Sequence, residues 1–347
     1  MQQQTADYIE RDCDPDEPEP LDSPLAALQL SARDGAGERI DRFVAAQLPQ
    51  YSRTRIQRWL ELGAVLVDGR TVLRKHRLAG HERIDVVPQP TEAEQAFEAD
   101  PVPLAIVHED ADLMIVDKPA GLVTHPAPGN WRGTLLNGLL HARPDSARLP
   151  RAGIVHRLDK DTSGLMLVAR SERGFERLVA ALAARRIGRR YLALAHGALE
   201  RDGAIDAPIG RDPRERLRMA VVDAARGKSA RTLYRALGAG RAPAQSGGAP
   251  QRLPVTLIEC TLETGRTHQI RVHLASIGHP LVGDATYGGA AVAGFARQAL
   301  HAWRLTLPHP VHEAVIDLRT PPPPDFAALV AGCGLAPTLA AFVEAAS

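Results

Sequence analysis

His156-Arg157-Leu158-Asp159-Lys160-Asp161-Thr162-Ser163-Gly164-Leu165 runs directly into Met166-Leu167-Val168-Ala169. Two cations and two carboxylates crowd a polar turn, and the continuous apolar run behind it reads as a buried strand. A carboxylate held in such a turn, beside basic side chains, suits a nucleophile, a general base or one half of an ion pair. The plain alternative is a charged turn that caps itself.

Outward from this turn the chain mixes strands and helices. Residues 105–109 and 113–117 read as strands joined by a turn at 110–112. Residues 190–195 and 255–260 read as further strands, and residues 172–184 as an amphipathic helix. Residues 238–251 are rich in Gly, Ala and Pro and read as a mobile loop. Four prolines at 321–324 lead to a last Ala-rich helix. Strands and long helices do not alternate strictly, so the expected class is α+β with a mixed or antiparallel sheet, not a doubly wound fold. A second dense element spans residues 263–273, with Arg266, His268, Arg271 and His273 in eleven residues. Gly265 supplies a turn, Thr267 can cap, and a helix over 270–277 follows. Arg266 is placed to meet a phosphate and Arg271 to reach back to a buried carboxylate. The histidines read equally well as packing residues. No HExxH and no carboxylate cluster with ligand spacing occurs, so no metal site is expected.

Residues 37–90 read as a separate small domain. Ile40, Phe43, Val44 and Leu48 keep helical spacing. Ser52 is placed to cap a second helix over 53–62, which Gly63 stops. Val65-Leu66-Val67-Asp68-Gly69 is a hairpin signal, with Val72-Leu73 as the returning strand. Arg53, Arg55 and Arg58 lie off the helix's apolar stripe, and Lys75 sits in a basic cluster beyond the hairpin. These four are the candidate contacts to an RNA backbone, against the plain reading of a solvated helix face. The order of elements, over roughly residues 38–85, resembles the S4-type RNA-binding domain.

The 347 residues carry 42 Lys and Arg against 41 Asp and Glu, a net charge of +1. Residues 1–36 hold nine acids and two bases, so that segment is −7 and the rest of the chain +8. A basic body with an acidic, Pro- and Gln-rich segment suits a polyanionic partner. Residues 1–36 are expected to be a disordered tail, since they carry too little apolar surface to offset ordering entropy. No apolar run long enough for a transmembrane helix and no secretory signal is read, so no membrane association is expected. Three scattered cysteines form no CxxC, and a cytoplasmic setting follows as the expectation.

Taken together, 156–159 with 162–164, and Thr264-Gly265-Arg266-Thr267-His268-Gln269-Ile270-Arg271, resemble the RluA family of RNA pseudouridine synthases. Asp117-Lys118-Pro119-Ala120-Gly121-Leu122, Arg190-Tyr191-Leu192-Ala193 and Gly278-His279-Pro280-Leu281-Val282-Gly283-Asp284 match further motifs in the family's order. Lys228-Ser229-Ala230-Arg231-Thr232 departs mildly, since the family often has proline after the lysine. The resemblance implies a catalytic domain over 102–325, an S4-like domain at 37–90, a linker at 91–101 and a C-terminal helical tail at 326–347. It implies isomerisation of uridine to pseudouridine, with no redox change, no metal and no small-molecule cofactor. It assigns Asp159 as the catalytic aspartate, Arg271 as its ion-pair partner and Tyr191 as the ring that stacks on the base. Arg157 would fill the space of the flipped base. His156, Arg266, Thr267 and His268 would line the RNA cleft. An S4-type domain in front is the arrangement of the branch acting on large-subunit ribosomal RNA, so 23S RNA or a large-subunit particle is the expected partner. Transfer RNA or another ribosomal position remains an alternative target. A non-catalytic ribosome assembly factor is the alternative of a different class.

Overall fold

In a computed structural model of the protein, residues 27–90, 95–199, 201–243, 252–312 and 314–346 are described. The chain divides into two compact units, parting between Ala96 and Phe97.

The first unit contains β1 (Leu28–Ser31), α1 (Ile40–Gln47), α2 (Arg53–Glu61), β2 (Val65–Val67), β3 (Arg70–Thr71) and β4 (Arg83–Val86). Its antiparallel sheet has the order β1-β4-β2-β3. Phe43, Val44, Ile56 and Trp59 from the helices pack on Val65, Val67, Ile84 and Val86. The Ser52 hydroxyl accepts the Arg55 N–H and starts α2. Asp68 (φ 47°) and Gly69 (φ 77°) form the tight hairpin turn that their residue types favour. Two expectations are corrected. The returning strand ends at Thr71, and Leu73 is left 83% exposed. The acidic segment is not a tail throughout: residues 1–26 lie outside the described residues, but β1 pairs Leu28 with Val86 and Leu30 with Ile84. The unit therefore includes Leu28–Ser31, and Ala32 is fully buried in its core.

The second unit contains β5 (Ile106–Glu109), β6 (Leu113–Lys118), α3 (Leu135–Ala142), β7 (Ser163–Ala169), α4 (Glu172–Ala183), β8 (Gly188–His196), β9 (Gly203–Asp206), β10 (Ile209–Arg211) and β11 (Met219–Val221). β12 (Arg231–Pro243), β13 (Arg252–Leu262), α5 (Gln269–Ser276), β14 (Leu300–Pro308), β15 (Val315–Arg319), α6 (Pro324–Gly332) and α7 (Ala336–Ala346) follow. The large sheet runs β5-β6-β7-β14-β8-β13-β12-β9, with β15 added on β14. Among the described residues only the β7–β14 pair of this sheet is parallel. The sheet is mixed, and the α+β class holds. β7 is buried at every residue. Met166 and Val168 face Leu135, Leu136 and Leu139 of α3, while Leu165, Leu167 and Ala169 face Phe175, Leu178 and Leu182 of α4. A strand covered on both faces must be continuously apolar, which is the pattern the sequence shows.

Three further boundaries are corrected here. The Gly-rich loop expected at 238–251 begins as strand, because β12 extends to Pro243; residues 244–251 lie outside the described residues. Gly240 has a packing cause: a Cβ there would stand 2.5 Å from the Cys333 carbonyl oxygen. The segment 326–347 is no tail. Phe326, Leu329, Val330 and Leu335 pack with Leu192, Leu194, Leu257 and Trp303 against the back of the sheet. In the linker expected at 91–101, residues 91–94 lie outside the described residues, while Asn137 binds the Glu98 carbonyl and Arg132 pairs with Asp100. Residues 98–100 thus belong to the second unit. Among the described residues no helix is long and apolar enough to cross a membrane.

Candidate active site

The turn that enters β7 is held at four successive carbonyls, three of them bonded from outside the turn and one from within it. The Thr124 hydroxyl donates to the Leu158 carbonyl at 2.7 Å, and the Thr162 N–H to that of Asp159 at 3.1 Å. Lys160 receives the Gly121 N–H at 2.9 Å and Lys118 Nζ at 3.0 Å; Asp161 receives Arg297 Nη1 at 3.0 Å. Lys118 is 1% exposed and also donates to the Pro119 and Leu122 carbonyls at 2.8 Å each. Burial lowers its pKa to about 7, against the pull of Asp159 and Asp161. Three carbonyls match the three N–H bonds of an ammonium, so this geometry describes the charged form. A turn fixed at each of these points presents Asp159 without needing to reorganise.

Arg271, on α5, donates from Nη1 to Asp159 Oδ2 at 2.9 Å. Its Nε and Nη2 form a fork on Asp284, at 2.7 and 2.9 Å. Asp284 is buried, so Arg271 cannot swing away from Asp159 without abandoning a second carboxylate. Burial acts to raise the pKa of Asp159. The charges facing it and the Arg271 hydrogen bond outweigh that, holding the carboxyl below the usual range. His268 is pushed towards neutrality by its own burial, so at neutral pH the holding charges are Arg271 and Arg157.

His268 takes a left-handed backbone (φ 55°) at the start of α5, a conformation strained for a residue with a Cβ. Its Nδ1 lies 2.8 Å from the Tyr287 hydroxyl, which also accepts the Met219 N–H. The hydroxyl proton is then directed to Nδ1, leaving the imidazole proton on Nε2, 3.9 Å from Asp159 Oδ1. Thr267 was expected to cap α5; the cap position is His268 instead, with no side-chain bond to the helix.

Asp159, Tyr191, Arg157, Arg266 and Thr267 line one cleft of about 100 Å³. Tyr191 is buried on β8, Arg157 is exposed at the rim, and Arg266 is partly tied to the Ser229 carbonyl. His156 reaches the same cleft, but its Nε2 accepts the Leu167 N–H of β7 and burial drives its pKa to about 3. It anchors the strand as a neutral ring. In the first unit the four basic candidates separate. Arg53 pairs with buried Asp41, and Arg55 lies over Tyr51 and Trp59 and donates to the Gln89 carbonyl. Arg58 and Lys75 are exposed.

Sequence reasoning assigned no role to Lys118, Asp284, Tyr287 or Arg189, although the first two stand inside quoted motifs. Arg189 was one residue outside a quoted motif, and two places before Tyr191 is the strand spacing that shares a face. One potential ligand grouping, Asp112, His309 and His312, occurs among the described residues. His309 has no lone pair for an ion, since Nε2 faces Asp110 and Nδ1 accepts the N–H groups of Val311 and His312.

The family of RNA pseudouridylate synthases matches residues 112–276, and the S4 domain family matches 38–84. The chain is 49% identical over 312 residues to the ribosomal large subunit pseudouridine synthase D of Nitrosomonas europaea, covering 87% of each. It is 44% identical to the protein of that name in Xanthomonas campestris, over 90% of this chain and 93% of that one. Among solved structures, human RNA pseudouridylate synthase domain containing 1 aligns with a TM-score of 0.50 at 27% identity, covering 65% of this chain and 86% of that chain. With the Asp159 turn, the Arg271 clamp and these likenesses together, the chain belongs to the RNA pseudouridylate synthase family, isomerases acting on RNA, and carries an S4 domain ahead of its catalytic unit.

Proposed function

We propose that the protein converts uridine to pseudouridine at defined positions of 23S ribosomal RNA, with Asp159 as the catalytic carboxylate acting on a nucleotide flipped out of its stack. The observation that carries this reading is the state of Asp159. Oδ2 is held by Arg271, while no hydrogen bond reaches Oδ1 among the described residues; the carboxylate stands ionised in a cleft it shares with Tyr191. An ionised carboxylate can attack the ribose C1′ or remove a ribose proton. Tyr191 offers a ring for the uracil to stack on. Extrusion costs a few kcal/mol, and Arg157 at the rim is placed to occupy the space the base leaves. The names of the relatives support the large-subunit target, and the S4 domain supports a grip on RNA.

The test is a pseudouridine map of 23S RNA from cells lacking the protein, rescued by wild type or by Asp159→Asn. Loss of sites restored only by wild type supports target and carboxylate together. An unchanged map sends the target to transfer RNA. Equal restoration by both forms overturns the catalytic role and leaves an assembly factor.

A further inference from the structure

Arg189 is a buried arginine whose guanidinium has no partner among the described residues. It lies on β8 and is 6% exposed. Its Nε is shielded from solvent with no acceptor, and no hydrogen bond or ion pair reaches the guanidinium among the described residues. Its neighbour Arg190 shows the ordinary arrangement: on the other face of the strand, Nη1 lies 3.5 Å from Glu259. An uncompensated buried charge is costly to a fold.

The surroundings are built to accept this one. Strand alternation puts Arg189 on the face of Tyr191, and both line the cleft that holds Asp159. Gly265 makes the room: a Cβ there would stand 2.6 Å from Arg189 Nη1. The facing charges do not use it. Asp159 is taken by Arg271, and His156, also in the cleft, is kept neutral by burial and by Arg189 itself.

The cleft therefore presents a preorganised cation to whatever enters beside Tyr191. Uracil and ribose are neutral in the substrate. When the C1′–N1 bond breaks, its electron pair leaves on the ring, and negative charge spreads over N1, O2 and O4. Asp159 supplies the other half by bonding C1′ or taking the C2′ proton. Later C5 bonds C1′ as the Asp159–C1′ ester breaks, or as Asp159 returns the C2′ proton; C5 then loses its proton and N1 gains one, so nothing is oxidised or reduced. The other anion an RNA brings is its phosphodiester, which lies on the outside of the strand; a deeply buried guanidinium beside the stacking ring meets the base.

We propose that Arg189 hydrogen-bonds a uracil carbonyl and stabilises the uracil anion during its detachment from ribose. This rests on the pseudouridine synthase reading above. Electrostatic stabilisation of charge that develops in the reaction should appear in rate and not in affinity.

The experiment uses the full chain, enzyme in excess, on a 23S transcript. Wild type must form pseudouridine, and Asp159→Asn must not; if wild type is inactive on RNA of any kind, the underlying reading fails, whatever Arg189 does. Given an active wild type, Arg189→Gln and Arg189→Ala should lower the saturated single-turnover rate at least about 100-fold, the scale of one lost oxyanion donor. RNA affinity should stay within about threefold, and the melting temperature at or above wild type, since the lost charge had no partner. Guanidinium ion should restore the Arg189→Ala rate about tenfold or more, and urea, its neutral isostere, should not. An unchanged saturated rate overturns the proposal. So does a loss confined to affinity, with a salt slope reduced by about one, which would make Arg189 a phosphate contact. Rescue by urea as good as by guanidinium, or unfolding of both variants, overturns it as well.

Discussion

Each unit of this molecule holds an aspartate against arginine, one fully buried and one at the wall of a cleft, and the two are finished differently. Asp41, in the S4 domain, accepts Nε and Nη2 of Arg39, Nε and Nη2 of Arg53, and Nε2 of Gln57. Burial acts to raise its pKa, and these five donors overcome that and bring it to about 2. Asp159, in the catalytic unit, receives one arginine N–H on one oxygen. Both Asp41 oxygens are bonded, Oδ2 by four donors and Oδ1 by one, and the side chain is fully buried, so it is closed to a ligand. Asp159 keeps an oxygen in reserve, and its arginine is anchored from behind by Asp284 instead of by further bonds to Asp159. On the function proposed above, the carboxylate that serves the fold is closed off by its donors, and the one assigned to the reaction is held ionised and left incomplete.

Removing the charge breaks this contrast most sharply. Asp159→Asn should cut turnover on the order of 10⁴-fold or more, as loss of a nucleophile does elsewhere, and leave RNA affinity and melting temperature close to wild type. Single-turnover assays with a binding titration check it. Residual activity near wild type would remove Asp159 from the chemistry.

Removing the cation comes next. Arg271→Met strands Asp159 and Asp284 together, and losing one partner of a buried pair costs about 3–5 kcal/mol. Burial, no longer opposed by Arg271, should then raise the pKa of Asp159. The acid limb of the saturated rate should move to higher pH, so the variant gains activity with pH where wild type is already level. A pH–rate profile beside a urea melt reads both effects. In wild type the depressed carboxylate adds stability above its unfolded pKa and loses it as pH falls through the folded value.

Asp41→Asn should act on stability alone. A pKa lowered from 3.8 to about 2 corresponds to about 2 kcal/mol at neutral pH, lost as pH falls from about 4 towards 2. The melting temperature of the S4 domain should drop, with the saturated rate of the catalytic unit unchanged. A matching fall in rate would deny that the two aspartates have separate tasks.

The sequence showed these regions unequally. The β7 run, the Ser52 cap and the Asp68-Gly69 turn are local signals, and each stands where its chemistry places it. The Arg271 partnership is not local: 112 residues separate it from Asp159, so the residues alone pointed Arg271 at a buried carboxylate, and only the family resemblance said which one. Asp284 lay in a quoted motif without a role, because a fork on Arg271 exists only once α5 and the following turn are folded. β1 was hidden by its acidic, Pro-rich neighbours, although Leu28 and Leu30 already alternate. The helical character of the Ala-rich C-terminal segment was legible, but not the packing of α6 and α7: alanine gives little contrast between faces, and their burial shows only against Leu192, Leu257 and Trp303.

The smallest effects divide the basic residues of the S4 domain by the same rule. Arg53 is a donor to Asp41, and Arg55 is laid across Tyr51 and Trp59. Arg58 and Lys75 are exposed. If the exposed pair meets RNA phosphates, Arg58→Gln and Lys75→Gln should each weaken binding a few-fold at moderate salt. Each should also lower the slope of log affinity against log salt by about 0.7–1. The melting temperature should not move, because neither change touches the core. Arg53→Gln should do the reverse: Asp41 loses two of its donors, the domain melts earlier, and the salt slope changes less. Binding titrations at several salt concentrations, each paired with a thermal melt, separate the two classes. Should Arg53→Gln flatten the slope as much as Lys75→Gln without loss of stability, Asp41 would not be the saturated carboxylate of the comparison, and Arg53 would belong to the RNA.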